Sequence, residues 1–308
     1  MRNDSELIVL AERRVYHLGM TPEDLAPNVI LCGDPGRADL VAGYFDSGDG
    51  PRRGQNREFA FRTGRYKGLP VTVLGTGIGP DNTEIVLVET YALRAFDLAS
   101  RERRVAESGL KLIRVGTCGT PQADLSPGTL AVTACAVGLE NTGLFYEVPA
   151  AGLSRRAQRI EAEARRIIEE AIPPGRRFKG RLWPYVAEPA PEVVRALGDR
   201  AQGDWDMGIT VTAPGFYGPQ GREIEGLGLT VPKIQEHLAG LEVDGLRVVN
   251  FEMETSLLLH LARLTGGRAG SICAIIANRA TGEFLADYEP AVSRAALTAL
   301  EALAALSA

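Results

Sequence analysis

Short apolar runs alternate with longer amphipathic segments along most of the chain. Short runs bounded by turn residues are typical of buried strands, whereas apolar residues that recur every three or four positions are typical of helices. The predicted strands are Val29–Cys32, Val71–Leu74, Leu112–Val115, Thr129–Thr133, Gly208–Thr212, Arg247–Val249 and Ile272–Ala277. The predicted helices are Glu84–Phe96, Arg155–Ala171, Lys233–Leu241, Thr255–Leu264 and Ala291–Leu306. Gly68-Leu69-Pro70 predicts the turn of an early hairpin.

This alternation favours an α/β fold with a central mixed, twisted β-sheet and helices on both of its faces. The 308 residues, of which 45% are hydrophobic, suffice for one large domain, and no break in composition marks a boundary. We therefore expect a single domain over residues 1–308. Arg176–Asp206, with three prolines among mixed residues, is predicted to be an inserted or irregular excursion.

Charge and cysteine usage narrow the class of protein. The net charge of −5 favours neither nucleic acid nor an anionic membrane as a partner. Met1–Arg14 lacks the apolar core and cleavage site of a signal peptide, and no apolar run is long enough to cross a bilayer. The four scattered cysteines match neither a zinc site nor a disulfide framework. We therefore expect a cytoplasmic protein with reduced thiols.

Two segments have the composition of an anion site. Gly33–Arg37 follows a predicted strand, and its glycines let backbone amides approach an anion while Arg37 adds a charged fork. An ordinary strand-to-helix turn is the alternative, and the motif alone favours it. The second segment is Arg114–Gly119. Arg114, at the end of a buried strand, needs an anionic partner, which is either phosphate or a structural carboxylate. The Thr117 hydroxyl could donate a hydrogen bond to the same ligand. Because ligands of open α/β sheets gather at the carboxyl ends of neighbouring strands, the pair favours phosphate.

Phe216–Arg222 has the chemistry to recognise a planar polar ring. Phe216 offers an aromatic face, Gln220 both donates and accepts hydrogen bonds, and Arg222 only donates. This set fits uracil, which carries two carbonyls and one N–H. An incidental surface loop is the alternative, because segments rich in glycine and proline are usually no more than that.

Asn250–Glu254 places two carboxylates between a strand and a helix. Glu252 and Glu254 point the same way if the backbone is extended, which suits the paired 2′ and 3′ hydroxyls of a ribose, with Met253 packing beneath the sugar. Acidic residues at a helix amino terminus are the ordinary alternative. His17 has no chemical partner nearby in the sequence, and by itself a structural role is favoured.

Taken together and in this order, the motifs resemble the nucleoside phosphorylase family, most closely its uridine-cleaving members. The matching blocks are Tyr16–Gly19, Gly33–Arg37, Arg57–Phe59, Gly75–Gly79, Arg114–Gly119, Phe216–Arg222, Asn250–Glu254 and Asn278-Arg279. They extend from residue 16 to residue 279. Each block is weak evidence when taken singly, whereas their joint order is specific.

The resemblance implies a role for each candidate residue. The implied phosphate ligands are Gly33, Arg37, Arg114, Thr117 and, from a neighbouring subunit, Arg57. The implied ribose contacts are Met253, Glu254, the adjoining Glu252 and, again across the interface, His17. The implied base contacts are Phe216, Gln220 and Arg222, with Arg279 supporting the base loop. Of these residues, Arg114, Gln220 and Arg222 are expected to carry catalysis.

The implied activity is the reversible phosphorolysis of uridine to uracil and ribose 1-phosphate, a pentosyl transfer with inorganic phosphate as co-substrate. Purine-cleaving relatives place an aspartate near the position of Asn278, and its absence here favours a pyrimidine. A purine nucleoside phosphorylase, a hydrolytic nucleosidase and a non-catalytic nucleoside-binding protein of the same fold are the alternatives. No metal site or organic cofactor is expected.

Three departures from the family pattern bear on the assembly and the site. Cys118 stands where relatives usually carry threonine or serine, next to the phosphate. Asn82 stands where some bacterial relatives place a serine beside an intersubunit potassium ion, so binding of a monovalent cation stays open. Arg176–Asp206 resembles the animal-type enzymes, which are dimers, more than the bacterial hexamers. A homo-oligomer is expected in either case.

Overall fold

The computed structural model describes residues 5–48, 50–148 and 152–307. Its strands are β1 (Val9–Leu10), β2 (Arg14–Val15), β3 (Asn28–Cys32), β4 (Arg52–Asn56), β5 (Phe59–Tyr66), β6 (Leu69–Gly75), β7 (Phe96–Asp97), β8 (Glu102–Arg103), β9 (Lys111–Thr120), β10 (Leu130–Gly138), β11 (Tyr185–Ala187), β12 (Trp205–Thr212), β13 (Glu242–Val243), β14 (Leu246–Glu252) and β15 (Arg268–Asn278). Its α-helices are α1 (Pro35–Ala42), α2 (Pro80–Ala95), α3 (Arg155–Ala171), α4 (Pro191–Arg200), α5 (Ile234–Ala239), α6 (Thr255–Leu264) and α7 (Glu289–Ala305).

One large sheet organises the molecule, with the strand order β13-β14-β12-β10-β15-β9-β3-β6-β5-β4 and β11 paired to β10. Strands β15, β9, β3 and β6 are mutually parallel, whereas β10 runs antiparallel to β15 and β5 antiparallel to β6. The sheet is therefore mixed, as the sequence predicts.

The sheet also closes on itself at the candidate site. Strand β14 pairs with β12 on one side and meets β9 on the other, where Phe251 and Gly119 are antiparallel partners. Strands β9, β15, β10, β12 and β14 thus form a closed ring. Because the β9–β14 contact is antiparallel and joins the last residues of both strands, it brings two carboxyl ends to one place.

Helices cover both faces of the sheet because the side chains of the central strands alternate in direction. On β3, Val29 and Leu31 pack into the core that includes α2 and α6. Ile30 and Cys32, which point the other way, join the core that includes α1, α4 and α7. Helices α3 and α5 contribute to a third cluster around β10, β12 and β14. Every residue of β3 is consequently buried, which explains its uninterrupted apolar run.

All seven strands and all five helices predicted from the pattern are present. The predicted strand Leu112–Val115 is too short, because β9 continues to Thr120 through pairing with β15. Arg114 therefore lies inside β9 rather than at its end. The segment Arg176–Asp206 is more regular than the sequence predicts, since it contains β11 and α4. Helix α4 begins with proline at its first position, where a missing N–H costs nothing.

The predicted early hairpin is formed by β5 and β6. Its two turn residues, Lys67 and Gly68, have φ values of 51° and 79°. Positive φ at both positions is the geometry that joins antiparallel strands with a right-handed twist. The predicted Leu69 and Pro70 belong to the following strand rather than to the turn.

Two further expectations concern the cysteines and the membrane. All four cysteines lie within the described residues, and each is buried and free of disulfide bonds. Among the described residues, no helix has the length and apolar character needed to cross a bilayer. The predicted absence of a signal peptide concerns Met1–Arg14, of which residues 1–4 lie outside the described part of the chain.

Candidate active site

A cavity of about 950 Å³ opens where the carboxyl ends of β3, β6, β9, β14 and β15 converge with the segment that follows β12. Its lining contains most of the residues singled out from the sequence: Gly33, Arg37, Arg114, Thr117, Phe216, Gln220, Arg222, Glu252, Met253, Glu254 and Arg279. Residues that are far apart in the chain thus share one concave site. Concave sites of this size are usual for small-molecule ligands.

One corner of the cavity is built to receive an anion. Asp34 caps α1 by accepting a 3.0 Å hydrogen bond from the Gly36 amide. A Cβ on Gly33 would lie 3.2 Å from the carbonyl oxygen of Gly77, so the two loops approach closely at this point. The Arg37 guanidinium donates to the Val115 carbonyl over 3.3 Å, which directs it along the edge of β9 toward the cavity.

Arg114 is a buried cation held by two carboxylates. Its guanidinium donates to Glu254 and lies 3.3 Å from Glu252 Oε2, and its Nη1 also contacts the Cys273 sulfur at 3.2 Å. Burial acts against the charge of Arg114, yet Glu254 and Glu252 together raise its pKa above the ordinary value. Arg114 therefore stays charged inside the molecule, as an anion ligand requires.

The two carboxylates play different parts. Glu252 accepts from the Thr212 hydroxyl at 2.5 Å and from the backbone amides of Glu254 and Thr255, so its oxygens are occupied within the protein. Glu254 accepts from the Gly79 amide at 2.7 Å and from Arg114. Burial raises the pKa of Glu254, and Arg114 opposes that shift. Glu254 is the carboxylate with remaining capacity for hydroxyl groups, whereas Glu252 orients it.

The opposite corner presents an amide and a guanidinium in a fixed relation. Arg222 Nη1 donates to the side-chain oxygen of Gln220 and to the Phe216 carbonyl, both at 2.6 Å. The guanidinium also lies 3.9 Å above the Phe216 ring. From beneath, Arg279 donates to the Gln220 carbonyl over 3.3 Å. Gln220 and Arg222 thus form a preorganised pair next to an aromatic ring.

Among the described residues, no carboxylate forms an ion pair with Arg222 in this corner. Burial and, after it, the charge of Arg279 lower the pKa of Arg222. A site with this electrostatic character gains most from a ligand that brings negative charge to it. The corner therefore suits a ring whose carbonyl oxygens become more negative during a reaction.

His17 and Arg57 are not among the described residues that line this cavity. His17 Nδ1 lies 2.7 Å from Glu89 Oε1, and Arg57 donates to the Tyr16 hydroxyl at 3.0 Å. The two side chains are linked because Tyr16, which Arg57 contacts, directly precedes His17 in the chain. Within one subunit the structure therefore does not assemble every residue that the resemblance assigns to the site.

Several lining residues were not assigned a role from the sequence. Ile78 and Phe284 line the cavity although 70% and 65% of their surfaces are exposed. Cys118 also lines it, with its sulfur 3.6 Å from the Ala274 carbonyl. The sequence carried no clear signal for Ile78 and Phe284, because single exposed apolar side chains are common on protein surfaces.

Comparisons with known proteins cover nearly the entire chain. Residues 27–307 match the family model of the phosphorylase superfamily. The chain is 32% identical over 295 residues to a uridine phosphorylase of Thermococcus kodakarensis, with 95% of this chain and 86% of that one covered. It is 26% identical to the uridine phosphorylase of Escherichia coli, with coverage of 89% and 90%. A solved Trypanosoma brucei nucleoside phosphorylase with uridine phosphorylase activity aligns with a TM-score of 0.86 and 33% identity, covering 97% of this chain and 99% of that one.

Proposed function

The chain belongs to the phosphorylase superfamily, and from this premise we propose that it is a uridine phosphorylase. It transfers the ribosyl group of uridine to inorganic phosphate and releases uracil, in a reversible reaction. The single observation that carries this function is that one cavity contains both the arginine pair Arg37 and Arg114 and the base-reading pair Gln220 and Arg222.

The anion corner binds the nucleophile. Arg37 and Arg114 hold phosphate from two sides, and the Thr117 hydroxyl donates to it from β9. Arg114 binds the phosphate and is paired with Glu254, which accepts hydrogen bonds from the sugar hydroxyls. One connected network therefore positions both substrates. Such positioning replaces a collision in solution by an oriented attack on C1′.

The opposite corner stabilises the leaving group. As the glycosidic bond lengthens, positive charge develops on the ribose, as in glycoside cleavage, and negative charge moves to the uracil carbonyls. Arg222 and Gln220 donate to those oxygens, and the phosphate below the ring offsets the charge on the sugar. No covalent bond to the protein is needed in this sequence of events.

The contacts of Asn278 support a pyrimidine substrate. Its Nδ2 donates to the carbonyls of Gln122 and Leu125, both at 2.9 Å, and its Oδ1 accepts from the amides of Ala280 and Thr281. An Asn278 side chain with these four bonds has no proton to give to a purine ring nitrogen. The chain therefore lacks the acid that purine cleavage would use at this position.

The site is completed by a second copy of the chain, which contributes His17 and Arg57. Two observations support this arrangement. His17 and Arg57 lie away from the cavity of their own subunit. Large apolar side chains are also exposed along α2 and the short helical turn packed against it, where Val88, Leu144 and Phe145 are exposed by 37%, 54% and 82%. By this proposal the assembly is a homo-oligomer located in the cytoplasm, where the four cysteines stay reduced.

A direct assay distinguishes this function from its alternatives. The protein is incubated with uridine, with and without phosphate, and free uracil and ribose 1-phosphate are measured; inosine replaces uridine in a parallel reaction. We expect uracil and ribose 1-phosphate only when phosphate is present, and little hypoxanthine from inosine. Release of uracil without phosphate would identify a nucleosidase. Faster cleavage of inosine than of uridine would identify a purine enzyme.

A further inference from the structure

His17 and Arg57 belong to one rigid arm, which we define as residues 16–19 together with residues 56 and 57. Asn56 Nδ2 donates to the carbonyls of Tyr16 and His17, at 3.2 and 2.7 Å. Gly19, at φ 63°, lies so close to Asn56 that a Cβ there would come within 2.9 Å of the Asn56 Cβ. Two segments about forty residues apart are therefore held in a fixed relation. Such rigidity is expected where two side chains, here His17 and Arg57, must be positioned together.

The arm restrains Arg57 through Tyr16. Arg57 is exposed, and it sits at φ 52° in the two-residue turn between β4 and β5. Its guanidinium carbon lies 4.9 Å from the centre of the Tyr16 ring, and its Nη2 donates to the Tyr16 hydroxyl at 3.0 Å. An exposed arginine otherwise loses side-chain entropy when it is ordered. Because the Tyr16 hydroxyl already orders the Arg57 side chain, less of this entropy is lost when a ligand binds.

The arm restrains His17 through Glu89 of α2. The buried Glu89 carboxylate accepts from the His17 amide at 2.9 Å and from the Leu18 amide at 2.8 Å. Its Oε1 also lies 2.7 Å from His17 Nδ1. Because both backbone amides can only donate, Glu89 acts as the acceptor, and the proton of this third contact belongs to Nδ1. The opposite ring nitrogen, Nε2, is left to face the ligand.

We propose that Tyr16 and Glu89 are positioning residues for the phosphorolysis: the Tyr16 hydroxyl holds Arg57 in place for phosphate, and Glu89 fixes the ring of His17 for the sugar. The inference rests on the proposed function, in which Arg57 and His17 act in the cavity of a second subunit. With Glu254 assigned to the 2′ and 3′ hydroxyls, the 5′-hydroxyl is the remaining polar group of the ribose for His17 to bind.

Tyr16→Phe tests the first half, because it keeps the ring under Arg57 and removes only the hydroxyl. We expect the KM for phosphate to rise about fivefold, as for one lost hydrogen bond, while kcat and the KM for uridine change little. Tyr91→Phe is the matched control, since the Tyr91 hydroxyl donates to a backbone carbonyl outside the arm. A change in both KM values, or in neither, would overturn the role of Tyr16.

Arg57→Ala separates this inference from the proposed function. If Arg57→Ala leaves the KM for phosphate unchanged, the proposed role of Arg57 itself fails. If Arg57→Ala raises it and Tyr16→Phe does not, only the inference fails. We expect the double variant to match Arg57→Ala alone, because two residues that act through one contact are not additive.

Glu89→Gln tests the second half with a spectroscopic measurement. Glutamine keeps an oxygen for the backbone amides but turns an N–H₂ group toward Nδ1, so the ring proton should move to Nε2. Only three histidines are present, so ¹⁵N-labelled imidazole resonances are readily assigned with a His17→Ala reference. We expect an Nδ1–H tautomer in the parent, an Nε2–H tautomer in the variant, and a kcat/KM ratio of uridine to 5′-deoxyuridine that falls about tenfold. An unchanged tautomer or an unchanged ratio would overturn the role of Glu89.

Discussion

Arg222 is held by its own loop before any substrate arrives. Its guanidinium is stacked on Phe216 and bonded to Gln220, and no carboxylate neutralises it within the described cavity lining. In the proposed mechanism, this arrangement keeps a positive charge available for the moment when uracil leaves. A residue of this kind contributes little to folding and much to the chemical step.

Arg222→Ala is therefore expected to lower kcat for uridine phosphorolysis by about a hundredfold or more, the usual effect of removing one donor from a developing anion. The fold should be retained, because Arg222 bonds only within its own loop. Arg159→Ala, which removes an arginine paired with Asp244 on the surface, is the control. Initial rates and thermal unfolding of both variants check the prediction. Near-parental activity of Arg222→Ala would remove this residue from the mechanism.

Asn278 shows why the pyrimidine preference is not one substitution away from a purine preference. In Asn278→Asp the group that now donates to two carbonyls would become an acceptor facing them. We expect destabilisation of about 2–4 kcal/mol and a Tm lowered by about 3–6 °C, with no gain of inosine cleavage. Differential scanning calorimetry and an inosine assay test this, with the exposed Asn141→Asp as the control. A stable variant that cleaves inosine would contradict it.

At the scale of elements, β9 places its functional side chains by simple alternation. Arg114, Gly116 and Cys118 project from the same face, and the space above Gly116 is filled by the Arg114 guanidinium and the Cys273 sulfur. A Cβ on Gly116 would lie 2.8 Å from that sulfur and even closer to Arg114 Nη1. Gly116 is thus needed because the buried Arg114 guanidinium occupies the space of a side chain, and not because the backbone turns here.

Gly116→Ala should displace Arg114 from its place between Glu254 and the anion corner. We expect kcat/KM for phosphate to fall at least about tenfold, since a shift of an ångström in a positioning group has effects of that order. Gly228→Ala is the matched control, because a Cβ there meets no atom within 4 Å. Steady-state kinetics at saturating uridine checks the difference between the two variants. Equal phosphate kinetics for both would show that Arg114 tolerates the displacement.

Most elements can be predicted from the chain because their local pattern and their tertiary environment agree. Helices α3 and α6 begin and end at the predicted residues. In α3 every buried residue falls on an apolar position of the pattern, whereas α6 also buries the polar Thr255 and Ser256. Strand β4 and helix α4 could not be predicted, because the exposed Arg52–Asn56 is polar throughout and α4 follows a proline-rich approach. The extension of β9 past Val115 depends on its pairing with β15, which is about 160 residues away.

The candidate site likewise contains some residues that could be predicted from the sequence and others that could not. The residues that touch a ligand directly carry recognisable motifs, so the cavity lining at Gly33–Arg37 and Phe216–Arg222 could be expected from the sequence. The residues that support them could not. Glu89 and Tyr16 reach His17 and Arg57 only through the fold, at separations of 72 and 41 positions. No local signal in the chain records such a contact.

At the scale of the whole molecule, the proposed shared site predicts complementation between two impaired variants. By the proposal, Arg57→Ala damages the arm and Arg222→Ala damages the cavity, so an assembly of either variant alone contains no intact site. When the two are mixed after reversible dissociation, about a quarter of the sites in a dimeric assembly combine a sound arm with a sound cavity. We expect activity to return in the mixture, as measured by uracil release. A mixture no more active than its components would place the arm outside the site.

The contact between Phe251 of β14 and Gly119 of β9 has a consequence for how this scaffold can acquire new substrates. Main-chain hydrogen bonds fix the spacing between its two binding corners, so point mutations in the strands cannot lengthen it without opening the ring. Enzymes for bulkier bases are therefore more easily obtained by exchanging the segment after β12, residues 213–222, as a whole. In this architecture, redesign of the base specificity is directed to one replaceable loop, while the strands that carry it stay unchanged.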